Sequence, residues 1–168
     1  MYLGSGHNLV FDAKFKFNAH IKNLNLKAYR LINLFLRAFP KSNALQIKLF
    51  RIYIRPIIEY ALPAWGPRYL GGARELERIQ IYLTRRLCGS SKNGGPKYPE
   101  RLKALGLESL EQRRMYIDLI HVYKSLFLNN PSPDVLGLEL LSDSVTRGHS
   151  FKLLRKYVSA SIRKSFFY

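Results

Sequence analysis

"IYIRPIIEYALPAWGP", residues 52–67, decides how this chain folds. It carries Pro56, Pro63 and Pro67, three aromatic residues, and only Arg55 and Glu59 as charges. A membrane span, a buried strand and a helix that tolerates proline are the three readings. The residues on either side separate them. Lys48, Arg51, Arg55 and Glu59 step by three, four and four along one helical face, while Leu45, Leu49, Ile52 and Tyr53 supply an apolar face. A membrane span would not carry such a charged stripe, and a central strand would not accept Pro56. The pattern predicts a helix opening near Asn43, with Gln46 placed to complete a capping box. It kinks at Pro56, where the bond to the Ile52 carbonyl is lost, and stops in the Pro63–Pro67 turn. Pro56, Tyr60 and Trp65 are the structural anchors of that bend. Were Pro56 to end the helix instead, the Lys48–Glu59 stripe would be broken.

Helical periodicity continues on both sides. Ile21, Leu24, Ala28, Leu31, Ile32, Phe35 and Ala38 recur at three and four, with Lys27, Arg30 and Arg37 well round from them, and Phe39-Pro40 ends that helix. A third helix is predicted over about 73–88, with Leu76, Ile79, Leu83 and Leu87 inside and Gly89 as its stop. Arg74, Arg78, Arg85 and Arg86 decorate it. A polar glycine-rich linker comes next, then a short helix entered through Pro99 and closed by Gly106. Ser109 and Gln112 form a second capping box, for a helix running to about Phe127. Its polar line is Glu111, Arg114, Asp118 and His121; Tyr116, Leu119, Ile120, Tyr123 and Phe127 lie opposite. At the other end, alternation of Leu9, Phe11, Phe15 and Phe17 with polar residues predicts a β-hairpin. The expected fold is mainly α: a helical bundle over 21–89, preceded by that hairpin over 1–20. A linker and further helices occupy 90–128, and a partly irregular C-terminal tail 129–168.

Composition limits what such a bundle does. A chain of 168 residues with 47% hydrophobic content can build a real core without staples. Cys88 is its single cysteine, so neither an internal disulfide nor a cysteine metal cluster is expected. No signal peptide and no membrane-spanning run is read, which points to an intracellular protein of unassigned compartment. Charge is the outstanding property: 28 Lys and Arg against 11 Asp and Glu, a net +17. Ten of those bases face only two acids in residues 1–60. Such a field favours a polyanionic partner, and the first third of the chain is the expected contact surface.

Bond chemistry finds no support. His7, His20, His121 and His149 lack ligand spacing, so no metal site is predicted. Asp12, Asp118, Asp134 and Asp143 form no adjacent pair for two magnesium ions. Asp118 follows Arg114, and Glu59 follows Arg55, at helical ion-pair spacing, a structural arrangement. Binding is better served. Lys27, Arg30, Arg37, Lys48, Arg51, Arg55, Arg85 and Arg86 are the candidate nucleic-acid contacts, because rows of cations on helices meet phosphates without choosing sequence. Tyr60 and Trp65 have the surface to stack on bases, although an aromatic beside a helix bend is more often core.

Five ordered blocks carry a family resemblance. "KAYRLINLFLR", "LFRIYIRPIIEYALPAWGP", "LERIQIYLTRRLCG", "YPERLKALGLESLEQRRMYIDLIHVYK" and "RGHSFKL" occur in that order. The chain resembles the thumb and post-palm region of reverse transcriptases of non-LTR (LINE and jockey-like) retrotransposons. "YLG" near the start resembles the segment leading out of that family's last palm hairpin. The family's Tyr-x-Asp-Asp strand and its earlier metal-binding aspartate have no counterpart here, and "RKSFFY" stands where relatives continue. The resemblance therefore implies a fragment without cofactor, inactive alone, of an RNA-directed DNA polymerase whose Mg2+ would sit on aspartates this chain lacks. Its implied partners are a template–primer RNA/DNA duplex, bound without sequence preference, and the catalytic palm; no membrane is involved. A retroelement remnant that makes protein contacts, or none, is the competing reading.

Overall fold

A computed structural model describes residues 17–40, 42–67, 70–89, 94–127 and 152. Among them the regular structure is helical: α1 (Asn18–Ala38), α2 (Asn43–Leu49), a π-helical turn (Phe50–Ile54), α3 (Arg55–Glu59), α4 (Leu62–Trp65), α5 (Leu70–Cys88), α6 (Tyr98–Leu105) and α7 (Leu110–Phe127). The chain divides into two compact units, Met1–Met115 and Tyr116–Tyr168, with the division inside α7. The helical part of the expectation stands. The β-hairpin does not: no strand occurs among the described residues, and Asn18–His20 already belong to α1. Strand alternation misled there because Phe17, Ile21 and Leu24 also continue a helical stripe, and all three are buried. Residues 1–16 and the expected tail lie outside the described residues, apart from Lys152.

In the first unit α1 packs chiefly on α5 and also meets α2, the π-helical turn and α3. Leu24, Ala28 and Ile32 of α1 and Leu76, Ile79 and Leu83 of α5 are buried. The approach is close where α5 begins. A methyl group on Gly72 would stand 2.8 Å from the Pro67 Cβ and 3.2 Å from the Ile21 side chain. Only hydrogen fits there without displacement.

The decisive stretch is helical, yet its two faces differ from the expectation. Ile47, Phe50, Ile54 and Ile58 are buried, whereas Ile52 and Tyr53 are 52% and 54% exposed. The sequence offers two apolar rows one residue apart, and the buried one recurs at three, four and four. Gln46 explains part of the choice. It is buried, and its Nε2 donates to the carbonyls of Phe35 at 3.2 Å and Pro40 at 3.3 Å. It thus adds a second donor to carbonyls at the end of α1 and in the turn after it, which already accept from Phe39 and Ser42 N–H, instead of completing a capping box at Asn43. The predicted kink is also resolved differently. Arg55 N–H reaches back to the Phe50 carbonyl, a bond one residue longer than in an α-helix. That widened turn puts Pro56 in the first turn of α3, where a missing N–H costs least. The extra residue also rotates the helix beyond it, so the charged stripe turns inward. Lys48 and Arg51 are exposed, but the side chains of Arg55 and Glu59 are only 13% and 15% exposed.

Past α3 the backbone reverses through Ala61, whose φ of 52° lies in the left-handed region. An alanine there carries strain of about 1–2 kcal/mol, while glycine adds about 0.5–1 kcal/mol of unfolded-state entropy. Ala61→Gly is therefore expected to stabilise the fold by roughly 0.5–1 kcal/mol in urea unfolding. A lower midpoint would contradict the strain. The turn leads to Trp65, which is 1% exposed. Its Nε1 donates to the Tyr60 carbonyl at 2.6 Å, and its ring meets the His20 ring edge-on at 4.7 Å.

Burial, reinforced by the charge of Lys27, lowers the His20 pKa from its ordinary value of 6.5. The unfolded chain then binds this proton more readily than the folded one. Stability from His20 is complete above pH 6.5 and is lost as the pH falls from 6.5 towards the folded value. His20→Phe keeps an aromatic ring against Trp65 but does not titrate. The melting temperature of the native protein should fall relative to that variant on going from about pH 7.5 to about pH 5.5. An unchanged difference would remove His20 as the cause.

α6 and the start of α7, up to Met115, complete the first unit. Gly106 closes α6 with φ of 60°, as its sequence position predicts. The Ser109–Gln112 box forms: Gln112 N–H donates to Ser109 Oγ at 3.1 Å, and Ser109 N–H to Gln112 Oε1 at 3.2 Å. Glu77 adds a second cap from α5, accepting the N–H groups of Leu110 and Glu111 at 3.3 Å each. It also accepts a short hydrogen bond from the Tyr98 hydroxyl, whose pKa burial and Glu77 together raise. In the second unit, the described part of α7 exposes Tyr116, Leu119, Ile120, Tyr123 and Phe127, by 44–64%.

Candidate nucleic-acid interface

The eight cations expected to meet phosphate do not act as one row. Lys27 and Arg30 are exposed on α1, Lys48 on α2, and Arg85 in the last turn of α5. Arg37 and Arg86 converge: one from the last turn of α1 and the other from that of α5, they line a single open cleft of about 590 Å³. Asn33, Leu36, Asn43 and Leu87 are the other described residues that line it, and none of these is acidic. The surrounding sequence is equally free of anions, since no Asp or Glu occurs between Asp12 and Glu59 or between Glu77 and Glu100.

Arg51 and Arg55 also make contacts within the fold: Arg51 stays exposed, whereas Arg55 is largely buried and leaves the solvent-facing stripe. Arg51 Nη2 donates to the Gly106 carbonyl at 2.5 Å, holding the π-helical turn to the end of α6. Arg55 lies 3.9 Å from Glu59, with its guanidinium 5.9 Å from the Phe50 ring centre. Burial and the neighbouring charge of Arg113 lower its pKa, although an arginine stays protonated through such a shift. Glu59 pairs more closely with Arg113, which binds both of its carboxylate oxygens, one bond being 2.9 Å long. That fork raises the Arg113 pKa and ties α3 to the start of α7. Arg113 also reaches Glu108 at 3.4 Å. Two of the eight candidates thus serve the fold.

The anchors divide as well. Pro56 and Tyr60 are exposed, whereas Trp65 is core and offers no face to a base.

Two groups of polar residues escaped the sequence reading. Arg101 is 2% exposed, donating to the Pro96 carbonyl at 2.7 Å and to Thr84 Oγ1 at 3.3 Å over the Tyr98 ring. Its burial in α6 had no signal, because the arginine is surrounded by ordinary helix formers. Tyr82 is the second. Its hydroxyl donates to Asn33 Oδ1 at 2.7 Å and accepts from Arg86 Nη2 at 3.2 Å. The Arg86 guanidinium lies 5.4 Å from the Tyr82 ring centre, and the Tyr29 ring meets that ring edge-on at 5.2 Å. Arg37 Nε donates to the Asn33 carbonyl at 3.2 Å. Asn33 therefore connects both cleft arginines, one through its backbone and one through Tyr82.

Among the described residues no group of three or more His, Cys, Asp or Glu side chains is placed to hold a metal ion. No helix among them is long and apolar enough to cross a membrane.

No protein-family model matches the chain, and no solved structure matches it. An uncharacterized protein of Caenorhabditis elegans is similar to it, 23% identical over 134 residues that cover 79% of this chain and 67% of that protein.

Proposed function

We propose that this chain is a nucleic-acid-binding helical module that grips the phosphate backbone of an RNA–DNA duplex without sequence preference. In this reading it serves as the thumb-like part of a non-LTR retrotransposon reverse transcriptase, and the catalytic aspartates belong to the palm of the parent polymerase. The single observation that carries the proposal is that Arg37 and Arg86 line one cleft with no acidic residue among its described lining, in a chain of net charge +17. Arg30, Lys48 and Arg85 are further exposed cations outside the described lining of the cleft. Cations so arranged bind by releasing counterions, so affinity must fall steeply with salt.

The test is fluorescence anisotropy of a labelled RNA–DNA hybrid titrated with the full chain at several salt concentrations. Affinity should fall linearly on a log–log plot, with a slope of about −0.9 for each phosphate neutralised. Absent or salt-insensitive binding would refute the reading. The chain alone should not extend a primer; extension would refute the assignment of chemistry to the palm. The exposed apolar residues of α7 favour the second reading, a protein-contact role, which would survive loss of nucleic-acid binding.

A further inference from the structure

We propose that the cleft between the ends of α1 and α5 is a preorganised phosphate site, in which Arg37 and Arg86 hold the oxyanion and Tyr82 positions Arg86. The inference rests on the nucleic-acid reading for its ligand, but on separate geometry for its site. A cation in the last turn of a helix serves the helix dipole, and that accounts for either arginine alone. It does not account for both facing one cleft.

The two side chains are also tethered to the protein. Arg86 is stacked near the Tyr82 ring and bonded to its hydroxyl, and that hydroxyl is fixed in turn by Asn33. Arg37 is tethered through Nε to the carbonyl of the same residue. Each tether uses only part of a guanidinium with five N–H donors, leaving others to meet an oxyanion. A planar fork already restrained in this way loses little further freedom when it binds phosphate. Among the described residues no carboxylate lines the cleft to compete for either arginine.

The remaining walls narrow the ligand. Leu36 and Leu87 are apolar, and Asn33 and Asn43 carry amides. At about 590 Å³ the space exceeds what a phosphate ion needs and lies in the range of small-molecule pockets. A phosphate ester fits this chemistry, with its sugar against the leucines. Such an ester comes either from a terminal phosphate on a strand or from an internal backbone linkage.

Inorganic phosphate is the first probe, titrated into the full chain while the side-chain Nε–H signals of arginine are followed by NMR. Arg37 and Arg86 should shift saturably together. In Tyr82→Phe the ring stays and the hydroxyl goes, so the Arg86 response should weaken while that of Arg37 persists. The double variant R37Q/R86Q should keep its melting temperature, lose the saturable phosphate response, and bind the RNA–DNA hybrid at least about tenfold more weakly. A 5′-phosphorylated hybrid that binds the native chain more tightly than its unphosphorylated twin identifies a strand end; equal binding identifies an internal phosphate. A titration that leaves both arginine signals unmoved, or moves all arginines alike, overturns the site. Native hybrid affinity in R37Q/R86Q overturns it too, while leaving the nucleic-acid reading intact. A saturable phosphate response without hybrid binding has the opposite meaning: the site stands and the proposed function falls.

Discussion

Trp65→Ala is expected to destabilise the first unit by about 3–5 kcal/mol, the usual cost of removing a large aromatic from a packed core. Trp65 is 1% exposed and fills the space where α3 turns into α4. Its Nε1–H also satisfies the Tyr60 carbonyl, and its ring is the partner of His20. The substitution therefore opens a cavity, orphans an acceptor and removes an edge-on ring contact together. Against a total stability of about 5–15 kcal/mol, that loss places the variant near the edge of folding. Trp65→Phe keeps most of the volume and loses the hydrogen bond, so roughly 1–2 kcal/mol is expected. Urea unfolding followed by circular dichroism measures both; an Ala variant with an unchanged midpoint would contradict the burial. There is a functional corollary. Trp65 is the sole tryptophan, so its fluorescence should report unfolding and remain unquenched when nucleic acid binds.

How much of this is legible in the sequence depends on whether a residue's partner is near it in the chain. The end of α1 at Phe39-Pro40, the Gly106 stop and the Ser109–Gln112 cap are local, and each is legible. The helix over 43–59 is legible as a helix but not in its buried face. Ile52 and Tyr53 compete there with Phe50 and Ile54, and a π-helical turn is needed to decide between them. Gln46 reads as a cap of its own helix because its true acceptors, the Phe35 and Pro40 carbonyls, lie before that helix begins. Charge shows the same limit. The spacing of Lys48, Arg51, Arg55 and Glu59 is real, but Gly106 and Arg113 lie more than fifty residues away and claim two of the four, Arg51 and Glu59. The Arg37–Arg86 cleft is invisible for the converse reason, since nothing in a one-dimensional pattern tells that the ends of α1 and α5 meet.

That difference between exposed and committed cations sets the second large effect. Neutralising Arg30, Lys48 and Arg85 together, as R30Q/K48Q/R85Q, should leave the melting temperature nearly unchanged, because all three are exposed. If each meets one phosphate, the slope of log affinity against log salt should shrink by about 2.7, and hybrid affinity near 0.1 M salt should fall on the order of a hundredfold. Arg51 and Arg55 predict the reverse balance. R51Q/R55Q removes the tether to Gly106 and a partner of Glu59, so stability should fall while the salt slope of the folded fraction stays near native. The pair of variants separates two meanings of a basic helix face. A surface that acts through counterion release responds to the number of exposed charges, whereas a framework charge acts through the neighbour it holds. Equal slopes in the native chain and R30Q/K48Q/R85Q would show those three residues to be merely solvated. A reduced slope in R51Q/R55Q at native stability would return the π-helical turn to the binding surface.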